Sequence, residues 1–295
     1  MTLLKAATHV VANVTEASDC YAQWLDYRMV EQGHIPADLA AAWGCPASAG
    51  RAYAVIQPAS GADVFLRLVE GDKVPGYTPI RTYGWAATEI CVTDVEAVHA
   101  RMQASPFTVI GPPKPLDGFE MVIPMQVRGP DDEIVYLTQM PTNGAAQGLP
   151  VPQSLIDRPF IMVLACEDLR GSIGWTRDVL GLDVSDPVAI RYTMIEKSFA
   201  LSPEARTEIV TANWPGQDLI IELDQYPQGA TPRPRHDGAL PPGVAIVSML
   251  HPDPKRLAGH WFSQPVRRDG PLYGGRMSGV LQTPDGALLE VLDGR

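Results

Sequence analysis

The feature that most constrains this chain is an internal repeat. Slid on itself by about 155 positions, the sequence brings two long stretches into correspondence. Asn13-Val14-Thr15 falls on Asp168-Leu169-Arg170, each closing an apolar strand and opening a helix in which Leu25 and Leu180 coincide. Asp63 to Leu68 falls on Asp218 to Leu223, and Gly129 to Tyr136 falls on Thr283 to Glu290. Each half divides again, because a strand followed by a capped helix recurs inside it. Ala86 to Thr93 leads to a helix capped by Asp94 with Val95, Val98 and Met102 at helical spacing, and Val244 to Leu250 leads to one capped by Asp253 with Leu257 and Trp261. Phe160 to Cys166 followed by Asp168 and a stop at Gly181 is the plainest case. Four modules of one strand, one helix and three further strands account for the chain.

These repeats predict an α+β protein of four βαβββ modules paired into two open barrels. The first domain is expected over 1–145, with modules 1–83 and 84–145, and the second over 157–295, with modules 157–240 and 241–295. A Pro- and Gly-rich linker over 146–156 separates them, and modules are expected to pair within each half. A length of 295 residues with 45% hydrophobic content supports two cores. The net charge of −11 and the lack of a basic run argue against nucleic acid as partner. No apolar run approaches the roughly 18 residues that span a bilayer, and the N-terminus lacks a signal-peptide pattern. A cytoplasmic protein with a small organic ligand is expected, and a homodimer is compatible with it. Cys20, Cys45, Cys91 and Cys166 form no CxxC pair and read as small buried hydrophobes.

The segments ACEDLRGSIGWTRDVLGLDV (165–184), VTDVEAVHARM (92–102), GPDDEIVYL (129–137) and TPDGALLEVLD (283–293) resemble the vicinal oxygen chelate superfamily, which includes glyoxalase I, extradiol dioxygenases and bleomycin- or fosfomycin-resistance proteins. The resemblance covers nearly the whole chain and implies a small-molecule pocket in each half. It also implies a divalent metal held by histidines of first strands and glutamates of last strands. Those first-strand sites fall here at Ala6, Ala87, Ile161 and Ile246 or Val247, and the last-strand sites at Arg67, Tyr136, Glu222 and Glu290. None is a histidine. No cofactor is therefore expected; a divalent metal is the alternative, with Glu222, Glu290 or His9 as its candidates. His9 is three residues late, an odd shift that turns it to the other sheet face.

Glu89 stands two residues beyond Ala87 and shares its face with Cys91, in a strand too apolar to bury a carboxylate without a partner. One reading has Glu89 as general base, Tyr136 as proton donor and Arg67 stabilising an enolate or carboxylate. The other is a Glu89–Arg67 ion pair with Tyr136 as packing. Trp43, Cys91, Glu222 and Glu290 are candidates for substrate binding; the alternative for the two glutamates is that they are solvated or arginine-paired groups. Ile35 to Gly44 reads as a short helix over a pocket mouth, with Trp43 as an apolar wall, and Ile190 to Ala205 is its counterpart. The resemblance and these residues together imply an isomerase, epimerase or lyase acting on a carbonyl or aromatic compound. A ligand-sequestering protein and an extradiol-type dioxygenase are the alternatives.

Overall fold

The computed structural model describes residues 3–116, 120–141, 144–217 and 219–294, without the side chains of 146 and 147. The first module comprises β1 (Leu4–Val11), α1 (Val14–Leu25), β2 (Tyr27–His34), α2 (Ala37–Ala42), β3 (Ala52–Pro58) and β4 (Phe65–Glu70). The second comprises β5 (Gly84–Val92), α3 (Val95–Gln103), β6 (Thr108–Gly111), β7 (Ile123–Arg128) and β8 (Ile134–Gln139). The third runs through β9 (Ile156–Cys166), α4 (Leu169–Trp175), β10 (Asp183–Val184), β11 (Val188–Ile190), α5 (Thr193–Phe199), β12 (Thr207–Asn213) and β13 (Leu219–Gln225). The fourth runs through β14 (Gly243–His251), β15 (Ser263–Arg267), β16 (Met277–Gln282) and β17 (Leu288–Asp293).

The predicted caps form at three of the four module helices. Asn13, Asp94 and Asp168 each accept backbone N–H groups of the first turn, which satisfies donors that a helix start leaves unpaired. Gly181 ends the third in a left-handed conformation after a π-helical turn over Thr176–Leu180. The fourth helix is a correction. Pro254–Leu257 makes only a 3-10 turn, Asp253 supplies no side-chain cap, and its own N–H is taken by His251 Nδ1. A proline at the start and Gly259 five residues later leave too short a run to propagate a helix.

The modules pair differently from the expected arrangement. One sheet has the order β15-β16-β17-β14-β1-β4-β3-β2 and joins the first module to the fourth. The other has the order β10-β12-β13-β9-β5-β8-β7-β6 and joins the second to the third. A repeat tells which modules are alike, not which are neighbours; Gly71 to Tyr83 carries the chain from one sheet to the other. At each seam two first strands lie antiparallel, β1 against β14 and β5 against β9. These four strands are almost wholly buried on both faces, which explains their near-continuous apolar sequences.

Halves of the chain remain tied across the sheets by turns and by side chains of their strands. Asp131, in the last hairpin of the second module, accepts the Ala12 N–H at the end of β1 at 2.8 Å. Asp285, at the repeat-equivalent turn, accepts the Glu167 N–H just beyond β9 at 2.7 Å. The Trp85 indole donates to the Leu288 carbonyl (2.7 Å) and the Tyr27 hydroxyl to that of Asp157 (2.7 Å). Among the described residues no helix is long and apolar enough to cross a membrane.

Because each sheet draws on both halves, residues 1–145 produced alone are expected to lack the partner of both seam strands and to be molten or aggregated. Co-expressed with 146–295 they are expected to yield a folded one-to-one complex. Circular dichroism and size-exclusion chromatography of each half and of the pair would check this; a folded, monomeric 1–145 would contradict the exchanged pairing.

Candidate functional site

The two concave faces carry equivalent positions but different chemistry. Strand alternation puts Thr8 and Arg67 of the first module on one face with Ser248 and Glu290 of the fourth. Arg67 and Glu290 are 2% and 1% exposed and form a buried ion pair at 3.2 Å. Both oxygens of Glu290 accept two hydrogen bonds each, and all three guanidinium nitrogens of Arg67 donate. Arg67 also donates to Thr8 Oγ1 (2.9 Å) and to the Tyr273 hydroxyl (2.7 Å). Glu290 accepts from Trp43 Nε1 (3.2 Å), Ser248 Oγ (2.7 Å) and Tyr273 (3.0 Å). The Trp43 ring lies 4.5 Å beneath the guanidinium. Burial, the largest single influence, pushes the Glu290 carboxyl up, but the Arg67 guanidinium and the hydrogen bonds from Ser248, Trp43 and Tyr273 together outweigh it and hold the carboxyl below the usual range. This face is filled.

The concave face of the second sheet is open. Glu89 of β5, Tyr136 of β8 and Glu222 of β13 line a cleft with two adjoining lobes of about 340 and about 330 Å³, and Glu89 and Glu222 border both. One lobe is walled by Phe160, Ile161, Ile209 and Leu219, and Tyr192, just before α5, flanks the other. Glu89 and Tyr136 are register partners on adjacent parallel strands. Glu222 lies two strands from Glu89 across β9. Thr138 donates to Glu89 Oε1, and Tyr192 donates to Glu222 Oε1 at 2.9 Å while its hydroxyl also contacts that of Tyr136. Exposed Lys114, Arg191 and Lys197 stand on the outer part of the cleft.

Burial, and then the charge of Glu222, push the Glu89 carboxyl up to about 8. Burial also raises Glu222, opposed by the hydrogen bonds from Tyr192 and Asp224. Asp224, two residues on along β13 and therefore on the same face, is fully buried and raised well above the carboxylate range by burial and by Glu222. Burial likewise keeps Tyr136 and Tyr192 neutral phenols.

The expected site residues thus separate. Glu89, Tyr136 and Glu222 come together, but Arg67 lies in the other sheet, bonded to Glu290, and cannot reach a ligand beside Glu89. Trp43 is no cleft wall; with 0% exposure it plugs the first face. Cys91 borders neither lobe. Its thiol faces the Arg158 carbonyl at 3.4 Å and burial pushes its pKa up to about 12. Glu222 and Glu290 belong to different sheets, and His9 projects from the opposite face of β1. There its ring nitrogens bond Tyr21 (3.1 Å) and Thr88 (2.8 Å), and burial lowers its pKa to about 4. Sequence reasoning missed Tyr192 and Asp224. Asp224 had a signal, since Glu222, Asp224 and Tyr226 alternate along one strand face.

Among the described residues neither face offers the histidine-containing donor set that zinc or iron takes. In the first, a guanidinium already neutralises the carboxylate. In the second, the carboxyls have no imidazole beside them, and among the described residues no group of three or more His, Cys, Asp or Glu is arranged to hold a metal ion.

No family model matches this sequence, and no curated protein matches it. Solved structures do. A glyoxalase I mutant from Zea mays is similar over 99% of this chain and 94% of its own, with a TM-score of 0.65 at 14% identity. Glyoxalase I from the same organism gives 0.62 at 15% identity, covering 99% and 92%. A presumed dioxygenase from Bacillus subtilis gives 0.61 at 14% identity, covering 99% and 85%. The chain therefore shares the fold of these structures over 99% of its length.

Arg67→Ala strands a buried carboxylate and is expected to cost about 3–5 kcal/mol in denaturant unfolding, whereas Arg67→Met with Glu290→Leu recovers most of that. Glu89 has the opposite consequence. Its folded pKa of about 8 lies above the ordinary 4.5, so its contribution to stability is intact below 4.5 and lost as pH rises through about 8. Glu89→Gln is expected to raise the melting temperature relative to wild type at about pH 9 and to lose that advantage near about pH 4. A difference independent of pH would show that Glu89 is not buried as described.

Proposed function

We propose that the chain is a small-molecule enzyme of the isomerase, epimerase or lyase type, with the cleft of the second sheet as its active site. Glu89 is the proton-transfer group. Glu89 borders both lobes of the cleft beside its register partner Tyr136, and this geometry carries the reading; burial, which pushes its carboxyl up to about 8, suits a group that both takes and returns a proton. An ordinary carboxylate is too weak a base to remove a proton beside a carbonyl; a desolvated one is stronger. In the reaction a C–H proton passes to the Glu89 carboxylate while the electron pair moves onto the carbonyl oxygen. Tyr136, register partner of Glu89 and kept neutral by burial, donates its O–H to that oxygen. As the electron pair returns from that oxygen, which Tyr136 releases while keeping its own proton, Glu89 delivers its proton to a carbon conjugated with the enolate, completing an isomerisation; in a lyase the pair instead expels a leaving group from the adjacent carbon, and that group takes the proton from Glu89. The role first given to Arg67 passes to Tyr136, backed by Tyr192.

The apolar lobe beside Phe160 and Ile161 accommodates the body of an aromatic or aliphatic substrate. Sequestration of a ligand without chemistry is the second reading, favoured by that apolar lobe. A dioxygenase would need metal-holding donors that are not grouped among the described residues of the cleft.

A panel of small carbonyl compounds incubated with the protein in D2O tests the reading by NMR. Exchange of a proton beside the carbonyl is expected, with a rate that rises as pH passes about 8. Glu89→Gln is expected to abolish that limb and lower the rate about 10²–10⁴-fold, and Tyr136→Phe to lower it less. Unchanged exchange in both variants would refute the mechanism, and binding without exchange would favour sequestration.

A further inference from the structure

The filled face of the first sheet shows what the open face of the second lacks. Glu290 and Glu222 occupy equivalent last-strand positions, and so do Arg67 and Tyr136. In the first sheet a guanidinium from the same concave face sits on the carboxylate, in contact with an aromatic ring and a tyrosine hydroxyl. In the second sheet the carboxylate is present, the tyrosine hydroxyl is present as Tyr192, and a cavity stands beside them. Two further carboxyls, Glu89 and Asp224, stand with Glu222, and burial favours the protonated form of each. No donor reaches either oxygen of the fully buried Asp224 except through a proton shared with Glu222. A cation in the cleft reaches Glu222, which borders both lobes, and bears on Asp224 only through the proton that the two carboxyls share.

We propose that the missing group is supplied by the ligand: the substrate of this cleft carries a planar organic cation, a guanidinium or amidinium, that sits on Glu222 as Arg67 sits on Glu290. The proposal rests on the cleft being the working site and adds the substrate class to it. The planar fork of such a group matches a carboxylate with two parallel N–H···O bonds, and the tilted rings of Tyr136 and Tyr192, 6.3 Å apart, offer π surface beside it. The cation is anchored on β13, leaving Glu89, two strands away, for proton transfer on the body of the same molecule. Lys114, Arg191 and Lys197 act on the cleft from its exposed outer part, where water and salt screen them more than the floor carboxyls.

Benzamidine and its neutral near-isostere benzamide distinguish a cation site from an apolar one, because the two share ring, shape and size. Calorimetric titration of the full chain is expected to show benzamidine binding at least tenfold more tightly than benzamide. Glu222→Gln is expected to remove that preference, and Glu89→Gln to reduce it. Neither should unfold the protein, since each deletes a buried ionisable group, and circular dichroism of the variants would confirm this. Equal affinity for the two compounds, binding of neither, a preference that survives Glu222→Gln, or displacement of benzamidine by micromolar Mn²⁺ or Mg²⁺ would each overturn the inference. Failure here leaves the proton-exchange result standing, because that depends on Glu89 and Tyr136 rather than on the charge of the ligand.

Discussion

Two antiparallel strand pairs, β1 with β14 and β5 with β9, determine nearly everything else in this molecule. Each pair is the middle of a sheet that curls around one concave face, and each draws its two strands from different halves of the chain. Because the seam strands are buried on both sides, their registers are tightly specified: a slip of one residue would turn every inward side chain outward. The seams therefore decide which last-strand residues confront one another. They set Arg67 opposite Glu290 and Tyr136 opposite Glu222. With modules paired within each half, Arg67 would have faced Tyr136 and two glutamates would have faced each other.

From those confrontations the energetics follow. A carboxyl removed from water must meet a positive charge or hold its proton. The first sheet meets the demand internally, with Trp43 stacked beneath the guanidinium and Tyr273 beside it. The second meets it by keeping protons on Glu89 and Asp224, a weaker solution that leaves room and reactivity. The same fold thus yields one face whose polar groups are mutually satisfied and one whose polar groups remain available. The difference depends on one last-strand residue, arginine against tyrosine, and on one covering segment. α2 delivers Trp43 into the first cavity, while the counterpart segment delivers Tyr192 to the side of the second.

Much of this was legible in the sequence. Repeat spacing, caps at Asn13, Asp94 and Asp168, and the alternation in the last strands are local signals, and they gave the modules and the inward-facing positions. The placement of His9 on the opposite face followed from counting alone. What was not legible was long-range. No local pattern says that β1 pairs with β14 rather than β5, so Arg67 was assigned to the wrong carboxylate. The helix expected after Asp253 failed for a local reason, a proline and a glycine too close together to leave a stable turn count. Asp224 was overlooked because a second acid on a strand is easily taken for a solvated residue, although its spacing from Glu222 placed it inside.

The turn aspartates give the open cleft a frame of reference. Asp285 belongs to the sealed sheet, yet it grips the chain just beyond β9, the strand lying between the two that carry Glu89 and Glu222. Its other oxygen takes the Ser172 hydroxyl at 2.8 Å, so the same clamp includes the helix after β9. The spacing of the two glutamates is in this way tied to the part of the protein with nothing left to bind. The inert sheet serves as a chassis, and a guest entering the cleft meets carboxyl groups whose separation was fixed before it arrived.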